Sequence, residues 1–106
     1  AEDEVLELSK KAMKDESPNV RIAAARAVAR LGDTDSALQV LRKELRSEHQ
    51  WGRLAAAIVI DEMGEPGRKV VKDLKEVLST RQPNKYILRV ANRALNDLLG
   101  TENRVP

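Results

Sequence analysis

One skeleton is written three times along this chain, and nothing else in it limits the fold so strongly. Val20-Arg21-Ile22-Ala23-Ala24-Ala25 runs on to Leu31-Gly32, Gly52-Arg53-Leu54-Ala55-Ala56-Ala57 to Met63-Gly64, and Leu88-Arg89-Val90-Ala91 to Leu99-Gly100. From arginine to glycine is 11 residues each time. Arg21 to Arg53 is 32 residues and Arg53 to Arg89 is 36, the added length being expected in the Thr80–Lys85 loop. A repeat this short cannot bury its apolar face alone, so the copies must stack.

Each copy reads as a helix. Val20, Ala24, Ala27, Val28 and Leu31 fall on one face at the helical period. Ser17-Pro18 is a start signal, a capping hydroxyl followed by proline at the first helical position. Gly32 and Gly64 are stop signals, and Asn84 can cap the third copy. Leu54–Ile60 is apolar nearly all round, as a helix covered on both sides should be. The third copy is rotated: its stripe is Ile87, Ala91, Ala94, Leu95 and Leu98, and Asn92 and Asn96 stand where the others carry Ala24 and Val28, or Ala56 and Ile60. One flank is therefore expected to meet water, making this copy a terminal cap followed by a tail, residues 101–106.

Three more helices are expected between the copies. Val5, Leu8, Ala12 and Met13 mark one; Ala37, Leu38, Leu41 and Leu45 a second, started by Asp33 or Thr34; Val70, Val71, Leu74, Val77 and Leu78 a third, started near Pro66. The expected fold is all-α, an α-α superhelix of six helices in three antiparallel pairs. Residues 1–106 form one domain, with repeats at about 1–32, 33–64 and 65–100. The Val5–Met13 helix is more apolar than an end cap should be. The chain is therefore expected to be a fragment of a longer protein, with another repeat or domain packed before Ala1.

Composition narrows the chemistry. Aromatics make up 2%, Trp51 and Tyr86 alone, so the core must be aliphatic. Cysteine is absent and His49 is the one histidine, which leaves no thiolate nucleophile, no disulfide and no multi-histidine metal site. Asp33-Thr34-Asp35 and Asp61-Glu62…Glu65 lack a calcium loop's spacing and glycine, and read as caps and first-turn charges. No glycine-rich phosphate loop is present. No stretch approaches the ~20 apolar residues of a membrane span. Net charge is +2, unevenly spread: residues 1–65 hold 10 basic and 13 acidic side chains, residues 66–106 hold 9 and 4.

The Val-Arg-x-Ala-Ala-Ala…Leu-Gly helix preceded by an outer helix resembles the HEAT repeat, especially the short class of phycobilisome lyases. The resemblance spans the chain and implies a solenoid scaffold, not an activity. Asp15-Glu16-Ser17-Pro18-Asn19-Val20-Arg21-Ile22-Ala23-Ala24-Ala25, Gln50-Trp51-Gly52-Arg53-Leu54-Ala55-Ala56 and Lys85-Tyr86-Ile87-Leu88-Arg89-Val90-Ala91-Asn92-Arg93-Ala94-Leu95 are similar to the HEAT-type C-terminal extension of bacterial sulfatases. That resemblance implies an alkaline-phosphatase-like catalytic domain elsewhere, with a formylglycine made from a Cys/Ser-x-Pro-x-Arg motif. Neither Ser17-Pro18 nor Ser79–Pro83 has that spacing, so no catalytic residue carries over. It also implies a periplasmic or secreted setting.

The resulting expectation is a non-catalytic protein-interaction domain without cofactor or metal. Its partner would be the catalytic domain of the same chain or another subunit. A free-standing adaptor is the alternative. An anion or nucleic-acid binder is a weaker one, and an anionic glycan is the partner a basic surface would admit. Arg21, Arg53 and Arg89 are expected to form a structural ladder tying helix starts to neighbouring repeats. His49, Gln50 and Trp51 stand at the mouth of the second inner helix; packing of the indole into the space left by Gly52 is weighed against an exposed anchor. Arg81, Lys85, Arg89 and Arg93 are the candidate basic surface, the last three spaced by four on one helix face.

Overall fold

The computed structural model describes residues 1–105. Six α-helices form three antiparallel pairs: α1 (Glu2–Ala12) with α2 (Pro18–Arg30), α3 (Thr34–Glu44) with α4 (Gln50–Met63), and α5 (Val71–Ser79) with α6 (Lys85–Leu99). No strand occurs among the described residues. Helices α2, α4 and α6 pack consecutively as an inner row. Ala56, Ala57 and Ile60 of α4 are buried between its neighbours, as an all-round apolar helix requires.

The helix ends follow their local chemistry. Ser17 Oγ accepts from Val20 N, and Pro18 takes the first helical position. Asn84 Oδ1 accepts from Tyr86 N at 3.0 Å. Gly64 closes α4 at φ 67°, ψ −130°, a conformation that side chains with a Cβ avoid.

Two expectations about length and face are corrected. The connections 13–17, 45–49 and 80–84 are equally long, so the third interval does not grow at Thr80–Lys85. It grows where 64–70 replaces 31–33, and the insertion is a 3₁₀ helix, Glu65–Val70. Helix α5 therefore starts at Val71, not near Pro66. In α2 the buried set is Ile22, Ala24, Ala25 and Val28, whereas Val20 is exposed. Val20 lies instead on the open groove between α1 and α2, with Ala23.

The stripe expected in α6 is buried throughout. Its Asn92 and Asn96 flank is polar as expected, yet it is roofed by the tail and not bare. Both amides donate to the Asn103 carbonyl at 2.8 Å, and Asn96 Oδ1 accepts from Asn103 N and the Thr101 hydroxyl. Asp61 and Glu62 are not first-turn charges: they end α4 and accept from Arg93 and Arg26 of the neighbouring repeats.

Asp33 holds the first two pairs together. Its carboxylate caps α3 through Ser36 N at 3.2 Å and Ser36 Oγ at 2.8 Å, and Lys10 of α1 stands 2.9 Å away. The Lys10 ammonium first, then the Ser36 donors, hold this carboxyl down to about 2. A depressed folded-state value stabilises the fold above the unfolded carboxylate range, near ~3.9, and that contribution fades as pH falls through it. Asparagine would keep the cap and lose the ion pair. The stability gap between wild type and Asp33→Asn should therefore be full at neutral pH, shrink as pH falls below the unfolded carboxylate range, and be largely lost by about pH 2. Thermal midpoints of both proteins across that range check this, and a gap independent of pH would contradict it.

Candidate interaction surface at the starts of the inner helices

The start of α4 is built around a buried acid. Glu44, at the end of α3, accepts from Arg21 Nε at 2.7 Å through Oε1. Its Oε2 is buried with no hydrogen-bond partner. A Cβ on Gly52 would stand 3.7 Å from this oxygen and 3.7 Å from Ser47 Oγ. The space beside Gly52 is thus taken by Glu44 and Ser47, in the first turn of α4, where the helix dipole favours negative charge.

This corrects the expectation of a packed indole. Trp51 does not fill the space left by Gly52; it is 66% exposed. His49 is exposed and Gln50 half-buried beside it. His49 is the N-cap residue of α4 but makes no side-chain capping bond.

Arginine connects this start to that of α6. Arg53 Nη1 donates to the Ser47 carbonyl at 2.6 Å, and its Nε donates to Gln82 Oε1 at 3.0 Å, two residues before the Asn84 cap. Arg21 does the same one repeat earlier: Nη1 donates to the carbonyls of Asp15 and Glu16, and Nε reaches forward to Glu44. Each of these guanidiniums grips its own turn and one acceptor in the following repeat. Arg89 makes neither bond; its guanidinium lies 5.6 Å from the Tyr86 ring centroid, within cation–π range.

The geometry sorts the remaining cations. Arg81, Lys85 and Arg89 are exposed, and none forms an ion pair among the described residues. Arg93 is different: it donates to Asp61 at 2.7 Å and is committed to the α4–α6 contact. The four cations are therefore not one free patch. What remains exposed at the starts of the two helices is Trp51 on α4 and, on α6, Tyr86, 62% exposed, with Arg89 against its ring. Aromatic groups at rest in water beside unpaired cations can bury apolar area and meet carboxylates in one contact.

Tyr86 was not singled out from sequence as a surface residue. Its signal was there: it precedes Ile87, the first residue of the α6 stripe, by one position, which turns it away from the core. On the outer helices Asp73 is a second buried acid, bridging to Arg42 at 3.0 Å and Arg46 at 2.7 Å. Burial pushes its carboxyl up, but the Arg46 and Arg42 guanidiniums outweigh this and leave it below the ordinary value. Among the described residues no group of three or more His, Asp or Glu stands close enough to hold a metal. Among the described residues no helix is long and apolar enough to cross a membrane.

A family model described as HEAT repeats matches residues 1–60. No curated protein and no solved structure matches the chain.

Proposed function

Because the chain belongs to the HEAT repeat family, whose members serve as protein-interaction scaffolds, we propose that it binds a protein through the edge formed by the starts of α4 and α6. The observation that carries this reading is that Trp51 and Tyr86 are both exposed, at the starts of α4 and α6, and that the unpaired Arg89 lies against the Tyr86 ring. HEAT repeat domains are typically non-catalytic, and in this reading the chain contributes contact surface. Its units are the repeats 1–32, 33–64 and 65–100, with Arg21 and Arg53 as structural ties and Arg89 free to meet a partner. Such an edge suits an acidic protein surface better than a polyanion, because Arg93 is already engaged by Asp61.

The finer reading is a C-terminal accessory domain of a bacterial sulfatase, bound to the catalytic domain of its own chain or of another subunit. Its support is the likeness of the three phrases around Arg21, Arg53 and Arg89 to sulfatase extensions. The native reading frame should then carry a Cys/Ser-x-Pro-x-Arg motif upstream.

Titration with the catalytic domain encoded there tests the edge. The free chain should show red-shifted Trp51 emission that moves to the blue on binding. Trp51→Ala and Arg89→Glu should each weaken binding roughly tenfold or more. Their thermal midpoints should stay near that of wild type, since both side chains are exposed. Unchanged affinity in both variants would sink the proposal.

A further inference from the structure

Helix α1 has two apolar stripes. Leu6 and Met13 pack on the core. Val5 and Leu8, spaced by three, form the other, which runs on to the half-buried Ala12. On that second stripe Val5 is 50% and Leu8 65% exposed. The stripe borders an open groove between α1 and α2, whose far wall is Val20, Ala23 and Ala24.

The charges of α1 are segregated along its length. Glu2, Asp3, Glu4 and Glu7 occupy the first half, and Lys10, Lys11 and Lys14 follow. Glu4 and Lys11 are exposed, lie along the same rim of the stripe, and form no ion pair among the described residues. A helix charged in this way is complementary to itself when antiparallel and repels itself when parallel.

We infer that the stripe seats a second copy of this chain, α1 against α1, antiparallel about a two-fold axis. In that register Val5 of one copy lies opposite Leu8 of the other, and Glu4 comes within reach of Lys11 of the second copy. Val20 and Ala23 extend the contact on each side. Head-to-tail stacking is closed off, because the other end of the inner row is occupied: the Asn92 and Asn96 flank already holds the Asn103 backbone. With that end closed, self-association through α1 is isologous and gives a closed dimer. A contact of one helix pair sits at the low end of the roughly 1,200–2,000 Å² typical of stable interfaces, so the dimer is concentration-dependent. This goes beyond the protein-binding edge and uses none of its residues, so either can fail without the other.

Sedimentation equilibrium on the full chain, from micromolar to near-millimolar concentration, tests it. The expected result is a monomer–dimer equilibrium. Leu8→Glu should raise the dissociation constant by about tenfold or more. Glu4→Lys and Lys11→Glu should each weaken the dimer, and the double exchange, which restores opposite charges, should recover it. Helical content by circular dichroism should be unchanged in all four, since the substituted side chains are exposed. A monomer throughout the range, or a double exchange no tighter than the single ones, would overturn the inference and leave the stripe to another partner.

Discussion

Ile60→Ala is expected to cost about 2–5 kcal/mol of unfolding free energy, the range for emptying a well-packed aliphatic site. Ile60 is 1% exposed, on the central inner helix. Its Cγ2 and backbone carbonyl face the Cβ side of Gly67 in the 3₁₀ helix, and Leu98 of α6 closes on the same side of that glycine. One side chain thus fills the junction between the second pair of helices and the third. The surrounding backbone belongs to three elements, so it cannot collapse into the space from one direction. Urea unfolding followed by circular dichroism measures the loss. A change below about 1 kcal/mol would mean that the junction repacks freely.

Gly67→Ala should be the next most damaging change, at about 1–3 kcal/mol. Its cause is crowding, not backbone strain. A Cβ at this position would stand 3.2 Å from Ile60 Cγ2 and 3.3 Å from the Ile60 carbonyl oxygen. The methyl can yield by tenths of an ångström, but the carbonyl is fixed in α4. The two changes also touch the same space. In the double variant the new alanine methyl at 67 occupies part of what Ile60→Ala empties. The double loss should therefore fall short of the sum of the single losses by about 0.5 kcal/mol or more. Strict additivity in the same urea experiment would show that Gly67 and Ile60 do not share a contact.

The repeat, the six helices and most of the core were legible because each rests on period and capping, which are local. Leu38, Leu41, Leu74, Ile87 and Leu95 lie on the faces their spacing assigns. What the sequence hid depends on neighbours distant in the chain. The 3₁₀ insertion before α5 could not be told from a longer loop at 80–84, since both lengthen the interval equally. The place of Trp51 turned on what fills the space beside Gly52, and the answer, Glu44, comes from the preceding helix and is held there by Arg21. Spacing put Arg93 with Lys85 and Arg89, but Asp61 on another helix decides whether it is free. Val5 and Leu8 read as apolar helix positions either way; only the packing of α1 shows that they form a second, uncovered stripe.

Three of the charged links between successive repeats differ in kind both from the apolar seam they flank and from the pairs made on the buried Glu44 and Asp73. Arg26 with Glu62, Lys69 with Asp35 and Arg46 with Glu76 all lie at the wet margins, whereas Ala56, Ala57 and Ile60 lie dry on the axis. A rod so made has a hard spine and soft lacing. Dissolved electrolyte loosens the lacing by screening and leaves the spine alone. Bending rigidity and resistance to melting are then separate properties: brine makes the molecule more supple long before it makes it fragile.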